Sequence, residues 1–332
     1  MELALVWLQL AACAALILAA GTRLSRYGDV IARHTGLGGG RIGLVLMATV
    51  TSLPELVTGV SSVTLADVPD IAVGNILGAC VLNLAMMVVL DAMHRQGTIY
   101  RIASQGHVLG AAFGIVMLGV VGFGLLVGER LPLAVGHVSL ISPALALLYL
   151  VAIRTIFEYE RSMQKAAAAQ PADVPGLSLR QASIRYAAAA AVVVGAAVWL
   201  PFAADRLAAL MGWSDSFVGT LLVALTTTLP ELTVTVAAIR IGALDMAIGN
   251  LVGSNLFNLT ILAIDDLLYV KGPLLAAVSP THALSAASAS VMAAALIVAL
   301  VARPQARLLN AVSWTSVGLA FIYFLNTWLH FG

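Results

Sequence analysis

Charged residues are scarce in this sequence. They make up 10% of its 332 residues, while 61% are apolar; a typical soluble domain has roughly 25% charged residues. This composition excludes a soluble globular protein. The 17 Lys and Arg residues against 16 Asp and Glu leave a net charge of +1, so the chain has no basic excess with which to bind a nucleic-acid backbone.

Cysteine is also scarce, and the histidines are scattered. Cys13 and Cys80 each lie inside a long apolar run, where cysteine behaves as a small hydrophobic residue. The six histidines have no ligand spacing and lie mostly in or near predicted loops. The sequence therefore predicts no disulfide framework, no thiolate or imidazole metal site and no cofactor.

Long apolar runs are abundant. A transmembrane helix needs about 20 mostly apolar residues, and ten such runs recur along the whole chain. Their approximate cores are 3–21, 41–64, 71–90, 104–127, 136–153, 186–204, 216–239, 246–264, 281–302 and 309–329. The sequence predicts an all-α integral membrane protein with ten transmembrane helices.

The basic residues are distributed unevenly between the predicted loops. If the N-terminus is outside, 14 Lys and Arg residues fall in inner loops and only Arg130, Arg206 and Lys271 fall in outer ones. Short cytoplasmic loops carry such an excess of Lys and Arg. We therefore expect both termini outside, residues 155–185 as a cytoplasmic linker, and a prokaryotic plasma membrane as the location.

Two parts of the sequence repeat each other on either side of this linker. Residues 51–56 (TSLPEL) return as 227–232 (TTLPEL), 70–75 (DIAVGN) as 245–250 (DMAIGN), and 78–84 (GACVLNL) as 253–259 (GSNLFNL). The halves, 1–154 and 186–332, would each hold five spans. Because five is odd, the second half must enter the membrane from the opposite face, and such inverted repeats are typical of secondary transporters.

Glu55 and Glu231 are the strongest functional candidates. Each lies inside an apolar run directly after a proline. An ionisable group at that depth costs several kcal/mol unless it faces a cavity or a counter-ion. No Lys or Arg lies mid-membrane beside them, so either a bound cation or protons must neutralise the two glutamates.

Oxygen-bearing groups surround both glutamates in the sequence. Pro54 and Pro230 remove a helical hydrogen bond and predict a kink or unwound turn there. Helical spacing places further groups on the same face as each glutamate or at matching depth on the next span. They are Thr51, Ser52 and Ala48 in the first half, Thr227, Thr228 and Ala224 in the second, and Asn83, Asn258, Ala79 and Ser254 on the following spans. Oxygen ligands of these kinds suit hard cations such as Ca²⁺ or Na⁺.

Other interpretations of the polar residues stay open. A Ser or Thr in a membrane helix often bonds to its own backbone, and an Asn often joins helices. Asn75, Asn250 and Asn255 are interpreted mainly as such helix-joining residues. Asp91, Asp265 and Asp266 fall at predicted helix ends near Arg95 and Lys271, which favours solvated ends over an ion-entry vestibule.

The paired Thr-Ser/Thr-Leu-Pro-Glu and Gly-Asn-x-x-Gly-x-x-x-x-Asn segments resemble the α-repeats of the cation/calcium exchanger superfamily, in its sodium/calcium exchanger branch. The resemblance places the α-repeats at about 41–90 and 216–266. It implies an antiporter that expels Ca²⁺ by alternating access, with the first and sixth spans sliding across the core. It also implies a ligand set, which comprises Glu55, Glu231, Thr51, Ser52, Thr227, Thr228, Asn83, Ser254, Asn258 and the carbonyls of Ala48 and Ala224.

The sequence departs from the family pattern at three positions. Asn258 stands where Na⁺/Ca²⁺ exchangers usually carry Asp, Ala79 stands where they carry Ser, and Val50 replaces a glycine. The site would then hold two carboxylates rather than three. We hypothesise that the exchange stoichiometry, or even the coupling ion, differs from three-sodium exchange.

The sequence thus predicts a transporter rather than an enzyme, with inorganic cations and the bilayer as its partners and no protein or nucleic-acid partner. Ca²⁺/Na⁺ exchange is the main hypothesis, and a cation/proton exchanger that uses the same glutamates is the alternative. A channel is less favoured, because the repeat symmetry indicates exchange. A membrane-embedded hydrolase would need a nucleophile or a metal-activated water, and no His, Lys or nucleophilic Cys lies beside the glutamates.

Overall fold

The structure, a computed structural model, describes residues 2–34, 48–94, 97–101, 103–104, 106–128, 134–164, 177–240, 242–308 and 311–331. These residues form an almost entirely helical protein with two short β-hairpins. The helices are α1 Glu2–His34, α2 Leu53–Ala66, α3 Pro69–Met93, α4 Gly106–Val127, α5 Ile141–Gln164, α6 Leu179–Met211, α7 Asp215–Thr227, α8 Leu229–Arg240, α9 Leu244–Leu268, α10 Leu274–Ala277, α11 His282–Ala302 and α12 Trp314–Phe331. The strands are β1 Ala134–Val135, β2 Val138–Ser139, β3 Arg307–Leu308 and β4 Val312–Ser313, paired as antiparallel β1–β2 and β3–β4.

Seven of the described helices are long and apolar enough to cross a membrane, or eight if the bent pair α7 and α8 forms one span. This is fewer than the ten spans predicted from the sequence. Part of the predicted second span, 41–64, lies outside the described residues, and α2, its described remainder, is too short to qualify. α12 matches the predicted last span and is long enough at 18 residues, but it is not among the helices that are apolar enough to qualify.

The helix bounds also differ from those of the apolar runs. α5 continues to Gln164 and α6 begins at Leu179, so both helices extend into the predicted linker 155–185. An apolar run marks only the part of a helix that is buried in lipid, whereas its polar ends depend on local capping. At the start of α6, Ser178 accepts a hydrogen bond from the Gln181 amide at 3.3 Å, and the Gln181 side chain accepts one from the Ser178 amide, as in a capping box.

The ends of the described helices form two separate groups of contacts. At one end of the molecule the pairs are Glu2 with Arg206, Asp67 with Lys271, Asp70 with His282, and Phe331 with Trp213. At the other end they are His34 with Leu177, Thr98 with Pro304, and His107 with Asp245. Both ends of the described chain belong to the first group, so the chain passes between the two ends an even number of times.

Asp91 and Asp266 are buried, so their prediction as solvated helix ends is wrong. The Asp266 carboxylate accepts from the amides of Leu274 at 2.7 Å and Ser139 at 2.8 Å, and from the Ser142 hydroxyl. Asp91 accepts an equivalent set, from the amides of Ile99 at 3.3 Å and Ser313 at 2.6 Å and the hydroxyl of Ser316 at 2.7 Å. Each aspartate thus holds the loop after its own helix against a β-hairpin of the opposite half of the chain, Asp266 against β1–β2 and Asp91 against β3–β4.

α3 and α9 form the centre of the molecule, and glycines let other helices approach them closely. The described structure has a π-helical turn at Gly219–Val223 within α7, and this turn packs on Gly74 and Gly78 of α3. A Cβ atom at Gly78 would overlap the Thr220 carbonyl group and would lie 2.8 Å from the Ala224 Cβ atom. The residues of α3 that face α7, Gly74 and Gly78, therefore have to be small.

We expect Gly78→Ala to destabilise the protein by about 1–3 kcal/mol, because overpacking against backbone cannot be relieved by a side-chain rotation. The thermal unfolding of the purified protein in detergent measures this change. Gly114→Ala in α4 is the matched control, since an added Cβ atom there would have no described neighbour within 4 Å. A Gly78→Ala variant as stable as Gly114→Ala would contradict the close packing.

Candidate cation site

Both proline-containing spans break at matching residues. Helical residues 48–51 are separated from α2 by Ser52, whose φ and ψ are −84° and 13°, and α7 is separated from α8 by Thr228, at −82° and 0°. α7 and α8 meet at an angle of 45°. Each break lies two residues before the proline, which cannot donate to the preceding turn. Glu55 and Glu231 therefore sit in the first turn after a break.

The residue at each break donates to the glutamate of the other half. The Ser52 hydroxyl donates to Glu231 Oε1 at 3.1 Å, and the Thr228 hydroxyl donates to Glu55 Oε1 at 3.1 Å. These two reciprocal hydrogen bonds join the two halves of the chain at one place. The structure therefore brings together four of the predicted site residues around two carboxylates.

Each of these carboxylates has one oxygen to which no group in the described part of the chain donates. Glu55 and Glu231 are 0% exposed, and Oε2 of each has no hydrogen-bond partner among the described residues. Buried carboxylate oxygens in this state are costly unless something neutralises them. Two such oxygens, one from each half, are suitable ligands for a cation.

The predicted hydroxyl and carbonyl ligands beside the glutamates are partly occupied. The Thr51 hydroxyl donates to the Ala48 carbonyl at 3.1 Å and also lies 3.4 Å from the Ser254 hydroxyl. The Thr227 hydroxyl lies 3.2 Å from the Ala224 carbonyl and donates to Asn75 Oδ1 at 2.8 Å. Donation leaves the lone pairs of both hydroxyl oxygens available to a cation.

The asparagines of α3 and α9 differ from one another. Asn83 donates to Asn255 Oδ1 at 3.0 Å, and Asn255 donates to the Cys80 carbonyl at 3.2 Å, so Asn255 joins the two helices. Asn83 Oδ1 and both side-chain polar atoms of Asn258 are buried without a hydrogen-bond partner in the described part of the chain. Asn83 and Asn258 therefore have amide oxygens to offer, while Asn255 is a structural bridge.

Neutral oxygens would make up most of any cation shell here. No group of three or more His, Cys, Asp or Glu residues that could hold a metal occurs among the described residues. The two glutamates would have to be supplemented by hydroxyl, amide and backbone oxygens. This donor set fits Na⁺ or Ca²⁺, which take oxygen ligands, and does not fit softer metals.

Asn75, which the sequence places among the helix-joining residues, is also a neighbour of the site. It receives the Thr227 hydrogen bond, and its own amide lies 3.4 Å from the Glu55 carbonyl oxygen. The Gly-Asn pair repeated at 74–75 and 249–250 was the available signal. It was interpreted as helix-joining because an Asn in a membrane helix commonly has that role.

The long helices α1 and α6 pack along each other and against the broken spans. Gly21 of α1 lies against the Pro230 ring, where a Cβ atom would come within 2.6 Å. On the other side, the Thr58 and Ser61 hydroxyls of α2 donate to the Ala197 and Val198 carbonyls of α6. A movement of α1 would therefore displace a residue next to Glu231, and a movement of α6 would displace a residue within one turn of Glu55.

Comparison with known sequences identifies related membrane proteins. The inner membrane protein YrbG of Escherichia coli K12 is 27% identical over 248 residues, or 74% of each chain. The uncharacterized membrane protein MJ0091 of Methanocaldococcus jannaschii is 28% identical over 233 residues, or 68% of this chain and 69% of that one. The sodium/calcium exchanger MaX1 of Methanosarcina acetivorans is 44% identical over 81 residues, which is 24% of this chain and 23% of that one.

Two solved structures share the fold. The sodium-calcium exchanger NCX_Mj, from crystals soaked with Na⁺ and Sr²⁺, has a TM-score of 0.61 at 21% identity and covers 97% of both chains. The crystal structure of the H⁺/Ca²⁺ exchanger CAX has a TM-score of 0.71 at 12% identity and covers 98% of this chain and 85% of that one.

A family sequence model settles the classification. The family described as sodium/calcium exchanger protein matches residues 5–157 and 184–332, which lie on either side of the predicted linker. The matched residues include both broken spans. The chain belongs to the sodium/calcium exchanger family of membrane transporters.

Proposed function

We propose that this protein is a secondary antiporter that exchanges Ca²⁺ for Na⁺ across the membrane by alternating access. The cations would bind between Glu55 and Glu231. The observation that carries the proposal is the pair of reciprocal hydrogen bonds from Ser52 and Thr228, which hold the two carboxylates in one buried site and leave one oxygen of each unpartnered. Proteins of this family named as exchangers of Na⁺ or H⁺ for Ca²⁺ support the substrate class.

The ligand set would extend beyond the glutamates. Hydroxyl oxygens of Thr51, Ser52, Thr227, Thr228 and Ser254, amide oxygens of Asn83 and Asn258, and the carbonyls of Ala48 and Ala224 are its other members. Most of these residues are fully buried. One Ca²⁺ or two Na⁺ would neutralise the two carboxylates, so the ions would compete for overlapping positions.

The same charges provide a reason for obligatory exchange. An empty site with both glutamates ionised leaves two uncompensated charges in a low dielectric, at a cost of several kcal/mol per ion. That cost disfavours the switch between inward and outward states while the site is empty. A loaded site carries no net charge, which permits the switch.

The proposal also includes a topology of ten spans in two inverted five-helix repeats, with both termini outside. The 14 to 3 distribution of basic residues supports this orientation, and the equivalent roles of Asp91 and Asp266 support two related halves. In secondary transporters built this way, the site lies near the midplane where the repeats meet. α1 and α6 are the elements that would slide across the core.

Transport by the purified protein in liposomes tests the function. We expect Ca²⁺ uptake to be driven by an outwardly directed Na⁺ gradient, and not by a pH gradient at equal Na⁺. Liposomes without protein are the control for leakage. Uptake that follows the electrical potential alone, without a counter-ion gradient, would indicate a channel and contradict the proposal.

A cation/proton exchanger is the second candidate. Asn258 favours it, because this residue leaves the site without a third carboxylate that a third Na⁺ would neutralise. Two carboxylates can be neutralised by protons as well as by Na⁺. Ca²⁺ uptake under a pH gradient in the absence of Na⁺ would establish this alternative. The same liposome preparation distinguishes both exchangers.

Asn258→Asp should change the charge carried per cycle. A third carboxylate would require a third monovalent cation to neutralise it, so Ca²⁺ flux should become more dependent on voltage than in the wild type. Flux at several clamped potentials measures the change, with Asn258→Ala as the control that removes the amide without adding charge. Strongly electrogenic exchange by the wild type would contradict the two-carboxylate stoichiometry.

A further inference from the structure

Asp265 is a buried carboxylate that neither the fold nor the proposed site accounts for. It lies in the last turn of α9, where we expected a solvated helix end, yet it is 0% exposed. Both of its carboxylate oxygens lack a hydrogen-bond partner among the described residues. Its neighbour Asp266 has three donors, so burial at this end of α9 does not by itself deprive a carboxylate of partners.

Gly59 of α2 makes room for this carboxylate. A Cβ atom at Gly59 would overlap the Asp265 carboxylate and would lie 2.9 Å from Oδ1. The equivalent positions in the other half are Thr235 and Leu90, both fully buried. Leu90 shows that this position can be filled by an apolar residue, so the carboxylate is not needed to complete the packing.

The surroundings of Asp265 favour a proton over a metal ion. Lys271 is bonded to Asp67, which raises the pKa of Lys271, and is therefore not free to act as a counter-ion. On α2, the hydroxyls on either side of Gly59 are used elsewhere, Thr58 donating to Ala197 and Ser62 to the Thr58 carbonyl. A hard cation needs about six oxygen ligands, whereas a proton needs only the carboxylate itself.

We propose that Asp265 is a proton-binding site whose proton is released when a cation binds at the central site. Gly59 follows Glu55 by four residues, which is one helical turn or about 6 Å along α2. The Asp265 carboxylate contacts Gly59, so it lies about one turn of α2 from the turn that carries Glu55, and charges in a poorly polarisable interior act over such distances. The proposal rests on the proposed function, since it assumes that the central glutamates bind the cation.

The direction of the coupling follows from charge. With the central site empty and negative, an additional charge on Asp265 is disfavoured, so the carboxyl keeps its proton. When Ca²⁺ neutralises Glu55 and Glu231, ionisation of Asp265 becomes less costly and its proton passes to the aqueous solution. Among the described residues, the titratable or charged groups on the elements packed around this end of α9 are Glu55 on α2, Asp67 after α2, Asp70 on α3, His137 between β1 and β2, and Asp266, Tyr269 and Lys271 on or after α9.

Infrared difference spectroscopy on the full-length protein tests whether Asp265 is protonated. We expect the wild type without divalent cations to show a carbonyl stretch of a protonated carboxyl that is lost in Asp265→Asn and in Asp265→Leu. Asp265→Leu copies the residue at the equivalent position Leu90 and keeps the experiment decisive if the Asn variant does not fold. The control is Asp205→Asn, which changes an exposed aspartate of α6 and leaves the ion pair between Asp67 and Lys271 intact.

Proton release on Ca²⁺ binding tests the coupling. Titration calorimetry in buffers of different ionisation enthalpy counts the protons released per bound Ca²⁺. We expect fewer protons from both Asp265 variants than from the wild type and Asp205→Asn, with Ca²⁺ binding retained in all of them. Equal proton counts, or an unchanged carboxyl band in the Asp265 variants, would overturn the proposal. Failure of the wild type to bind Ca²⁺ would instead overturn the proposed function.

Discussion

Glu55→Gln and Glu231→Gln should each abolish exchange while leaving the protein folded. Glutamine keeps a side-chain oxygen that accepts the hydrogen bond from Thr228 at position 55 or from Ser52 at position 231. The hydrogen bonds that join the two halves are therefore retained. It removes the negative charge that a bound cation neutralises. Removal of one partner of a buried charge pair costs about 3–5 kcal/mol, which weakens binding by roughly two orders of magnitude or more.

Ca²⁺ flux into liposomes measures this loss. Thermal unfolding provides a second measurement, since a ligand that binds only the folded state raises its stability. The unfolding temperature of the wild type should rise as Ca²⁺ is added, whereas that of neither variant should change. Glu158→Gln, at an exposed residue of α5, is the matched control. Normal flux in both glutamate variants would refute the assignment of the site.

Asp266→Ala should strongly destabilise the fold, with Asp91→Ala causing a loss of similar size. The Asp266 carboxylate accepts from two backbone amides and one hydroxyl. Without it, these buried donors have no acceptor, and each unsatisfied group costs about 1–3 kcal/mol. We expect a total loss of at least about 3 kcal/mol in the free energy of unfolding.

Denaturant unfolding of the purified protein measures that loss. Asp205→Ala, which removes an exposed carboxylate of α6, should change the stability by about 0.5 kcal/mol or less. A small effect of Asp266→Ala would mean that the β1–β2 hairpin is held in place by other contacts. The comparison of Asp91 with Asp266 also measures how closely the two halves share their structural supports.

The central part of the site was predictable because ionisable residues are rare within membrane-spanning segments. Glu55 and Glu231 stand out in apolar runs, and Pro54 and Pro230 indicate the breaks that the structure has at Ser52 and Thr228. Their repetition at nearly constant spacing shows that the two glutamates belong to equivalent segments. Sequence alone does not reveal that each break donates to the opposite glutamate, since that pairing depends on how the halves meet.

Asp91, Asp265 and Asp266 show where sequence analysis failed. An aspartate at the end of an apolar run is usually solvated, and its burial depends on distant loops that fold over it. Ser313 and Ser139 lie more than 120 residues away from the aspartates they contact. The hairpins and the π-helical turn at Gly219–Val223 were equally unpredictable, because their conformations are decided by packing against α3 and α9 rather than by local propensity.

Calorimetric titration of the purified protein with Ca²⁺ tests the central claim most directly. The account predicts a Ca²⁺ site that weakens as competing Na⁺ or H⁺ is raised and that disappears in the double variant Glu55→Gln with Glu231→Gln. A double variant that remains folded and binds Ca²⁺ with wild-type affinity would contradict the claim that the two buried carboxylates together hold the transported cation.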